Sequence, residues 1–136
     1  MTEEVEYERR FGGVGRLLSK AVLERLRGAH VCVIGVGGIG SWTVEALVRS
    51  GVGELTLVDL DEVCVSNVNR QVHATQGTVG KVKVGVMAER AREIQPGVVV
   101  NEEVAFYTKG NSEAILAKGF DCVVDAIDSG KLKAHL

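Results

Sequence analysis

The stretch VCVIGVGGIGSWTVEALVRSGVGELTLVDLDEVCVSNVNRQ, residues 31–71, decides the fold. Residues 31–34 form a short apolar run with a β-branched bias, which is typical of a buried strand. The turn that follows fits G-x-G-x-x-G, with its glycines at Gly35, Gly37 and Gly40. A helical pattern comes next, and a second apolar run, residues 55–58, ends on Asp59. The order of strand, glycine turn, helix, strand and acid predicts a nucleotide-binding βαβ unit.

Each part of this unit suits a nucleotide. Glycine lets the chain turn sharply and lets its backbone approach a phosphate closely. The first turn of the following helix presents unpaired N–H groups and a partial positive charge, which together attract an anion. Asp59 stands at the carboxyl end of the second strand, where it can accept hydrogen bonds from ribose hydroxyls. The glycine turn, beginning at Gly35, and Asp59 are therefore candidate nucleotide-binding residues.

Composition places the chain among ordinary globular proteins. Its 136 residues are 46% hydrophobic and 25% charged, and the formal net charge is -2. This length is enough for one domain with a core, and this net charge excludes a general polycation that binds nucleic acid. No run approaches the ~20 apolar residues of a membrane helix, and the start, MTEEVEYERR, lacks the apolar segment of a signal peptide. The 3 cysteines form no C-x-x-C pair. We therefore expect a cytoplasmic protein with no membrane segment and no zinc site.

The N-terminal region differs from the rest, so we divide the chain into an arm and helix, residues 1–27, and a nucleotide-binding domain, residues 28–136. The polar arm, residues 1–15, contains Phe11-Gly12-Gly13, which predicts a flexible joint. Apolar residues at helical spacing then predict a helix over residues 17–26. The region is rich in arginine, which suits either a solvated helix face or one arginine that reaches a phosphate in a neighbouring subunit.

The remainder of the chain alternates helices and strands. Patterns predict helices over residues 81–94 and 112–118, the second capped by Asn111, and strands over residues 98–100 and 120–126. This alternation predicts an α/β fold with a doubly wound, mostly parallel, Rossmann-like sheet and helices on both faces. The loop at residues 60–80 is long for a compact domain, which indicates a function. Residues 131–136 resemble a helix start without a stop, so we expect a chain truncated at its C-terminus relative to its relatives.

The charged residues around the glycine turn favour ATP over a dinucleotide. Arg70 and Lys81 can stabilise the negative charge that develops when an adenylyl group is transferred. Asp128 follows the last predicted strand, at the edge of the sheet where ligands bind. A carboxylate there can hold Mg²⁺ on phosphate oxygens. An NAD-dependent oxidoreductase, the alternative, would leave these charges without partners.

Five motifs in this order resemble the ThiF/MoeB superfamily, whose members adenylate a carboxylate and are related to ubiquitin-activating enzymes. They are G-x-G-G-x-G-S at 35–41, D-x-D at 59–61, S-N-x-N-R-Q at 66–71, G-K-x-K at 80–83 and D-x-x-D at 125–128. Within the superfamily, R-F-G-G at 10–13, D-E-V-C-V at 61–65, R-Q-V-H-A at 70–74 and D-A-I-D-S at 125–129 resemble the tRNA threonylcarbamoyladenosine dehydratase family. The resemblance implies ATP-dependent activation of the threonylcarbamoyladenosine carboxylate in tRNA, followed by cyclising dehydration.

The same resemblance implies roles for residues and partners. Gly37, Gly38 and Gly40 would form the phosphate-binding turn, and Asp59 would bind the ribose. Asn69 and Arg70 would contact the triphosphate, and Lys81 would neutralise the phosphate charge. Asp128 would bind Mg²⁺. Across a homodimer interface the resemblance implies an arginine, for which we choose Arg16, with Arg10 as its competitor. Asp61 is open between a supporting carboxylate and a turn former. The implied partners are tRNA bearing threonylcarbamoyladenosine, a second copy of the chain, and a cysteine desulfurase with its sulfur acceptor.

Other functions stay open at this point. The nearest is adenylation of the C-terminal glycine of a ubiquitin-like sulfur carrier protein, because that reaction uses the same nucleotide chemistry. A second is the NAD-binding oxidoreductase. A third is a non-catalytic module that binds a nucleotide and dimerises.

Five side chains carry structural expectations. Cys64 is flanked by valines and lacks a neighbouring base, so we expect a packed thiol rather than a nucleophile. Cys32 and Cys122 lie in predicted strands and should belong to the core. For His73, in the loop, we expect a structural hydrogen bond rather than a role as a base. Trp42, directly after the glycine turn, should pack the following helix against the sheet.

Overall fold

A computed structural model describes residues 1–127 of the protein. At its centre lies a 4-stranded parallel sheet, made of β1 (His30–Ile34), β2 (Glu54–Val58), β3 (Val99–Glu103) and β4 (Cys122–Asp125). The strands lie in the order β3-β2-β1-β4. Since β4 pairs with β1 on the side away from β2, the winding reverses beside β1, as in doubly wound folds. The predicted α/β class with a parallel sheet is confirmed.

Helices cover both faces of the sheet, as predicted. They are α1 (Glu3–Leu18), α2 (Lys20–Gly28), α3 (Gly40–Arg49), α4 (Lys83–Ile94) and α5 (Ser112–Leu116), with a 3₁₀ turn at Val65–Asn67. One face packs against α3 and α4 through the strand residues Val31, Val33, Leu55 and Leu57. The opposite face forms a second core cluster that includes α5, with members Cys32, Ile34, Val58, Tyr107 and Ile115. Within residues 1–127, every helix is too short or too polar to cross a bilayer.

The N-terminal helix α1 runs unbroken through Phe11-Gly12-Gly13, so the predicted flexible joint there is wrong. Phe11 is 3% exposed and packs with Tyr7 and Leu23. Burial of these apolar side chains outweighs the roughly 1 kcal/mol that each glycine costs a helix. The chain bends instead at Ser19, between α1 and α2, where φ is 154°.

Expectations for several side chains are wrong. Trp42 is 53% exposed, because the inner face of α3 is filled by smaller side chains, Val44 and Val48. Cys64 and Cys122 are both exposed, whereas Cys32 is fully buried as predicted. The exposure of Cys122 follows from its place at the start of a strand at the edge of the sheet.

The starts of α5 and α4 differ from the predictions in different ways: α5 begins at Ser112 as predicted but lacks the predicted cap bond, and α4 begins later than predicted. Asn111 occupies the cap position of α5, but its side-chain oxygen accepts a hydrogen bond from the N–H of Thr108, 2.8 Å away, outside the helix. Helix α4 begins at Lys83, two residues later than predicted, because Lys81 belongs to the loop. The carbonyl of Lys81 accepts a hydrogen bond from the N–H of Val63 at 2.8 Å.

Candidate nucleotide-binding site

A cavity of about 950 Å³ opens at the carboxyl ends of the central strands, where ligands bind in doubly wound folds. This volume lies within the usual range for small-molecule sites, about 300–1,000 Å³. The predicted site residues that line it are Gly35, Gly37, Gly38, Asp59, Asp61 and Arg70. The structure therefore brings the glycine turn, the acid after β2 and one arginine of the loop into one site.

The glycine turn has the conformation that requires glycine at Gly35 and Gly40. Gly35 has φ +93°, and a Cβ there would lie 2.7 Å from the carbonyl oxygen of Ala126. A Cβ on Gly40 would lie 1.7 Å from the carbonyl oxygen of Gly35. Gly40 does not line the cavity; its lack of a side chain lets α3 start directly against the turn. No side chain caps this start of α3, so it keeps the anion-attracting character of a bare helix N-terminus.

Asp59 is tied to the backbone by both carboxylate oxygens. Oδ2 accepts a hydrogen bond from the N–H of Val36 in the glycine turn, and Oδ1 accepts one from the N–H of Asp61, each at 2.8 Å. These bonds hold the carboxylate at the floor of the cavity between β1 and β2. Asp61 takes part in the turn through its backbone, since its carbonyl accepts from the N–H of Lys83 at 3.0 Å. The side chain of Asp61 is exposed at the cavity.

The cations of the site differ in part from those predicted. Arg70 lines the cavity, and its NH1 atom donates to the carbonyl of Ser66 and to Oδ1 of Asn69, each at 3.0 Å. Asn69 is exposed and does not line the cavity; its contact with the site is through Arg70. Lys81 is exposed and lies outside the cavity lining, whereas Lys83 lines the cavity and is 7% exposed.

Two cations of the cavity, Lys83 and Arg70, lack an acidic partner in the described residues. A largely buried lysine without an ion pair is rare in proteins. The Lys83 side chain makes no ion pair with any residue in 1–127, and the same holds for Arg70. Both cations line the cavity that contains the glycine turn, and the Arg70 side chain passes close to Gly38, so the two can meet the phosphate groups of a nucleotide. Sequence reasoning assigned the phosphate role to Lys81 and not to Lys83, the second lysine of the same G-K-x-K motif, because the motif's spacing does not tell the two lysines apart.

Two of the predicted residues lie away from this cavity or outside the described part. Arg16 is exposed near the end of α1 and is not among the residues that line the cavity. Asp128, the predicted Mg²⁺ ligand, lies outside the described residues. Within residues 1–127, no group of three or more histidine, cysteine or acidic side chains is arranged to hold a metal ion.

Further residues of the cavity were not predicted from the sequence. They are Asn67, Gln71, Cys64, Glu62, Phe106 and Tyr107, in addition to hydrophobic neighbours. Gln71 is 6% exposed, and its Oε1 atom is buried without a hydrogen-bond partner in residues 1–127. The exposed thiol of Cys64 stands 3.8 Å from the carbonyl of Glu62.

His73 makes the structural hydrogen bond that the sequence predicted. Its Nε2 atom lies 2.8 Å from the carbonyl oxygen of Val36, in the glycine turn. Burial lowers the pKa of His73, and the Lys83 charge acts in the same direction, against the Val36 hydrogen bond and the charge of Asp59. The lowered pKa favours the neutral imidazole, which can donate from Nε2 to the Val36 carbonyl and so support the turn.

The fold belongs to the doubly wound α/β class, and the cavity lies at the carboxyl ends of its strands. The chain belongs to the ThiF family, whose sequence pattern matches residues 7–136. The superfamily inferred from the five motifs is confirmed.

Relatives give this assignment detail. The chain is 55% identical over 130 residues to a tRNA threonylcarbamoyladenosine dehydratase of Haemophilus influenzae, covering 96% of this chain and 50% of that protein. It is 41% identical over 106 residues to a sulfur carrier protein adenylyltransferase of Thermus thermophilus, covering 78% of this chain and 39% of that one. The chain thus spans about half the length, or less, of these curated relatives.

A solved structure is similar over the whole chain. It is the Escherichia coli tRNA N6-threonylcarbamoyladenosine dehydratase in complex with ATP, with a TM-score of 0.97 and 45% identity. The match covers 100% of this chain and 56% of that chain. The likeness therefore extends to the cavity as well as to the sheet.

Proposed function

We propose that this chain binds ATP in the cavity and uses it to activate the carboxylate of threonylcarbamoyladenosine in tRNA, which then cyclises with net loss of water. The observation that carries the proposal is that two cations, Arg70 and Lys83, line the same cavity as the glycine turn and make no ion pair within residues 1–127. The similarity to a dehydratase solved with ATP supports the nucleotide, and the 55% identity to a dehydratase supports the acceptor.

Different residues of the cavity would bind different parts of ATP and stabilise the charge that develops during the reaction. The glycine backbone and the uncapped start of α3 receive the phosphates, while Asp59 accepts hydrogen bonds from the ribose. When a substrate carboxylate attacks the α-phosphate, negative charge grows on the phosphate oxygens and on the departing pyrophosphate. Arg70 and Lys83 stabilise that charge, so they act in the transition state more than in the ground state. When the activated threonylcarbamoyl side chain of the tRNA adenosine then cyclises, AMP leaves.

Mg²⁺ is part of the proposal, with Asp128 as its ligand. The fit rests on the chemistry of the donors, because Mg²⁺ is usually held by one or two carboxylates together with phosphate oxygens and waters. The cavity edge already carries the carboxylates Asp59, Asp61 and Glu62. The ion would neutralise phosphate charge and orient the leaving group.

Assembly and partners belong to the same proposal. We place the chain in a homodimer in which Arg16 of one subunit reaches the phosphates of the other, since Arg16 is exposed and makes no ion pair within residues 1–127. A cysteine desulfurase and its sulfur acceptor are the proposed protein partners. A cytoplasmic location fits all of these.

Calorimetry on the purified chain tests the nucleotide part. ATP should bind, more tightly with Mg²⁺, and Arg70→Ala should remove most of the binding. Arg92→Ala, which changes an exposed arginine on α4 that does not line the cavity, is the matched control and should leave ATP binding unchanged. Binding of NAD without binding of ATP would refute the proposal.

The acceptor needs its own experiment, because a sulfur carrier protein adenylyltransferase is also a relative. Exchange of labelled pyrophosphate into ATP should depend on tRNA that carries threonylcarbamoyladenosine. The same exchange driven instead by a ubiquitin-like protein with a C-terminal glycine would transfer the proposal to that acceptor. Asp128→Ala should lower the exchange and its response to Mg²⁺.

A further inference from the structure

The segment at residues 70–73 is attached to the glycine turn and the first turn of α3 by three hydrogen bonds that involve side chains. The indole N–H of Trp42 donates to the carbonyl of Arg70 at 2.8 Å. The N–H of Val72 donates to the hydroxyl of Ser41 at 3.3 Å, and Nε2 of His73 lies 2.8 Å from the carbonyl of Val36. Two parts of the chain that are about 30 residues apart in sequence are thus joined directly at the cavity.

Trp42 differs from the other two side chains in its burial. Ser41 is 0% and His73 is 2% exposed, so both also serve the core. Trp42 is 53% exposed, and it belongs to none of the core clusters in residues 1–127. Its indole N–H nevertheless donates to a backbone carbonyl, so Trp42 makes one specific polar contact although the side chain is half exposed.

The group that Trp42 holds is the backbone of a residue in the proposed phosphate site. The side chain of Arg70 passes 3.7 Å from the position of a Cβ on Gly38, and the amide of Gln71 lies 3.7 Å from that of Gly37. Both side chains line the cavity directly above the turn. Fixing the carbonyl of Arg70 therefore limits where its guanidinium can reach.

We propose that Trp42 is a positioning residue that, through its hydrogen bond to the Arg70 carbonyl, holds Arg70 and Gln71 over the glycine turn before ATP arrives. This inference rests on the proposed function, since it assumes that the phosphates lie on that turn. A preformed segment saves the entropy that ordering it would cost on binding. The benefit should therefore apply to ligands with phosphates and not to adenosine.

The test compares ATP with adenosine on Trp42→Phe, which keeps an aromatic ring but removes the N–H together with part of the indole ring system. Loss of one neutral hydrogen bond should weaken ATP binding roughly three- to tenfold, while adenosine binding should stay within about twofold, because adenosine makes no contact that depends on Arg70. The melting temperature should be unchanged, because the side chain is exposed. Val65→Ala is the control variant in the same loop, and it should leave ATP binding unchanged because Val65 is 72% exposed and does not line the cavity.

Amide hydrogen exchange without nucleotide supplies the second measurement. In Trp42→Phe the amides of residues 70–73 should exchange faster, and those of the sheet should not change. Equal losses for ATP and adenosine with a lower melting temperature would show that Trp42 merely stabilises the domain and would overturn the proposal. Unchanged ATP affinity would overturn it as well, whatever the exchange rates. Arg70→Ala distinguishes failure of this inference from failure of the proposed function, because normal ATP binding by that variant would refute the proposed function itself.

Discussion

Replacing Lys83 with methionine should weaken ATP binding far more than the same replacement at Lys81. Lys83 is 7% exposed and lines the cavity, whereas Lys81 is exposed and lies outside it. A hydrogen bond to a charged group is worth about 1.5–3 kcal/mol, so the dissociation constant should rise roughly 10- to 150-fold in Lys83→Met. An exposed charge contributes about 0–1 kcal/mol, so Lys81→Met should change it by less than about fivefold.

Calorimetry with ATP and Mg²⁺ measures both variants, and thermal unfolding checks that they fold. Methionine keeps the aliphatic volume of Lys83 and removes the ammonium of a residue that is 7% exposed and makes no ion pair in residues 1–127. The melting temperature of Lys83→Met should therefore be unchanged or higher. A larger loss of ATP affinity in Lys81→Met than in Lys83→Met would refute the assignment of the phosphate-binding lysine.

Three further predictions concern stability. Burial lowers the pKa of His73, so the folded state binds fewer protons than the unfolded state, and the free energy of unfolding should fall as the pH drops below about 6.5. Denaturant unfolding measured at a series of pH values should show a smaller fall for His73→Gln than for the unchanged protein. Burial would raise the pKa of Glu45, but hydrogen bonds and charges from Arg90 and Arg49 hold it below its usual value. Arg90→Ala should therefore cost about 1–2 kcal/mol by denaturant unfolding, and Arg49→Ala, at a more exposed partner, should cost less. Gly40→Ala should yield little folded protein by circular dichroism, because its Cβ would lie 1.7 Å from a carbonyl oxygen of the turn.

The sheet and the glycine turn could be predicted because regular periodicity and special backbone geometry leave a clear record in sequence. The length and β-branched composition of residues 31–34 and 55–58 favour buried strands, and the glycine spacing is typical of a turn whose backbone excludes side chains, as the structure shows at Gly35 and Gly40. The error at Phe11-Gly12-Gly13 has the opposite origin. Glycine indicates a joint only when tertiary contacts do not hold the segment, and the aromatic face of α1 is held by α2.

The loop after β2 shows why the cations of the site could be predicted as a set but not individually. Helices and strands have a fixed period, so spacing tells which side chains share a face, but a loop has none. Here the N–H of Val63 bonds to the carbonyl of Lys81, and the N–H of Lys83 bonds to the carbonyl of Asp61. These bonds make Lys81 part of the exposed loop edge and make Lys83 the first residue of α4, at the cavity. Because one backbone hydrogen-bond pattern places both lysines, only the three-dimensional closure of the loop could decide which of the two meets a phosphate.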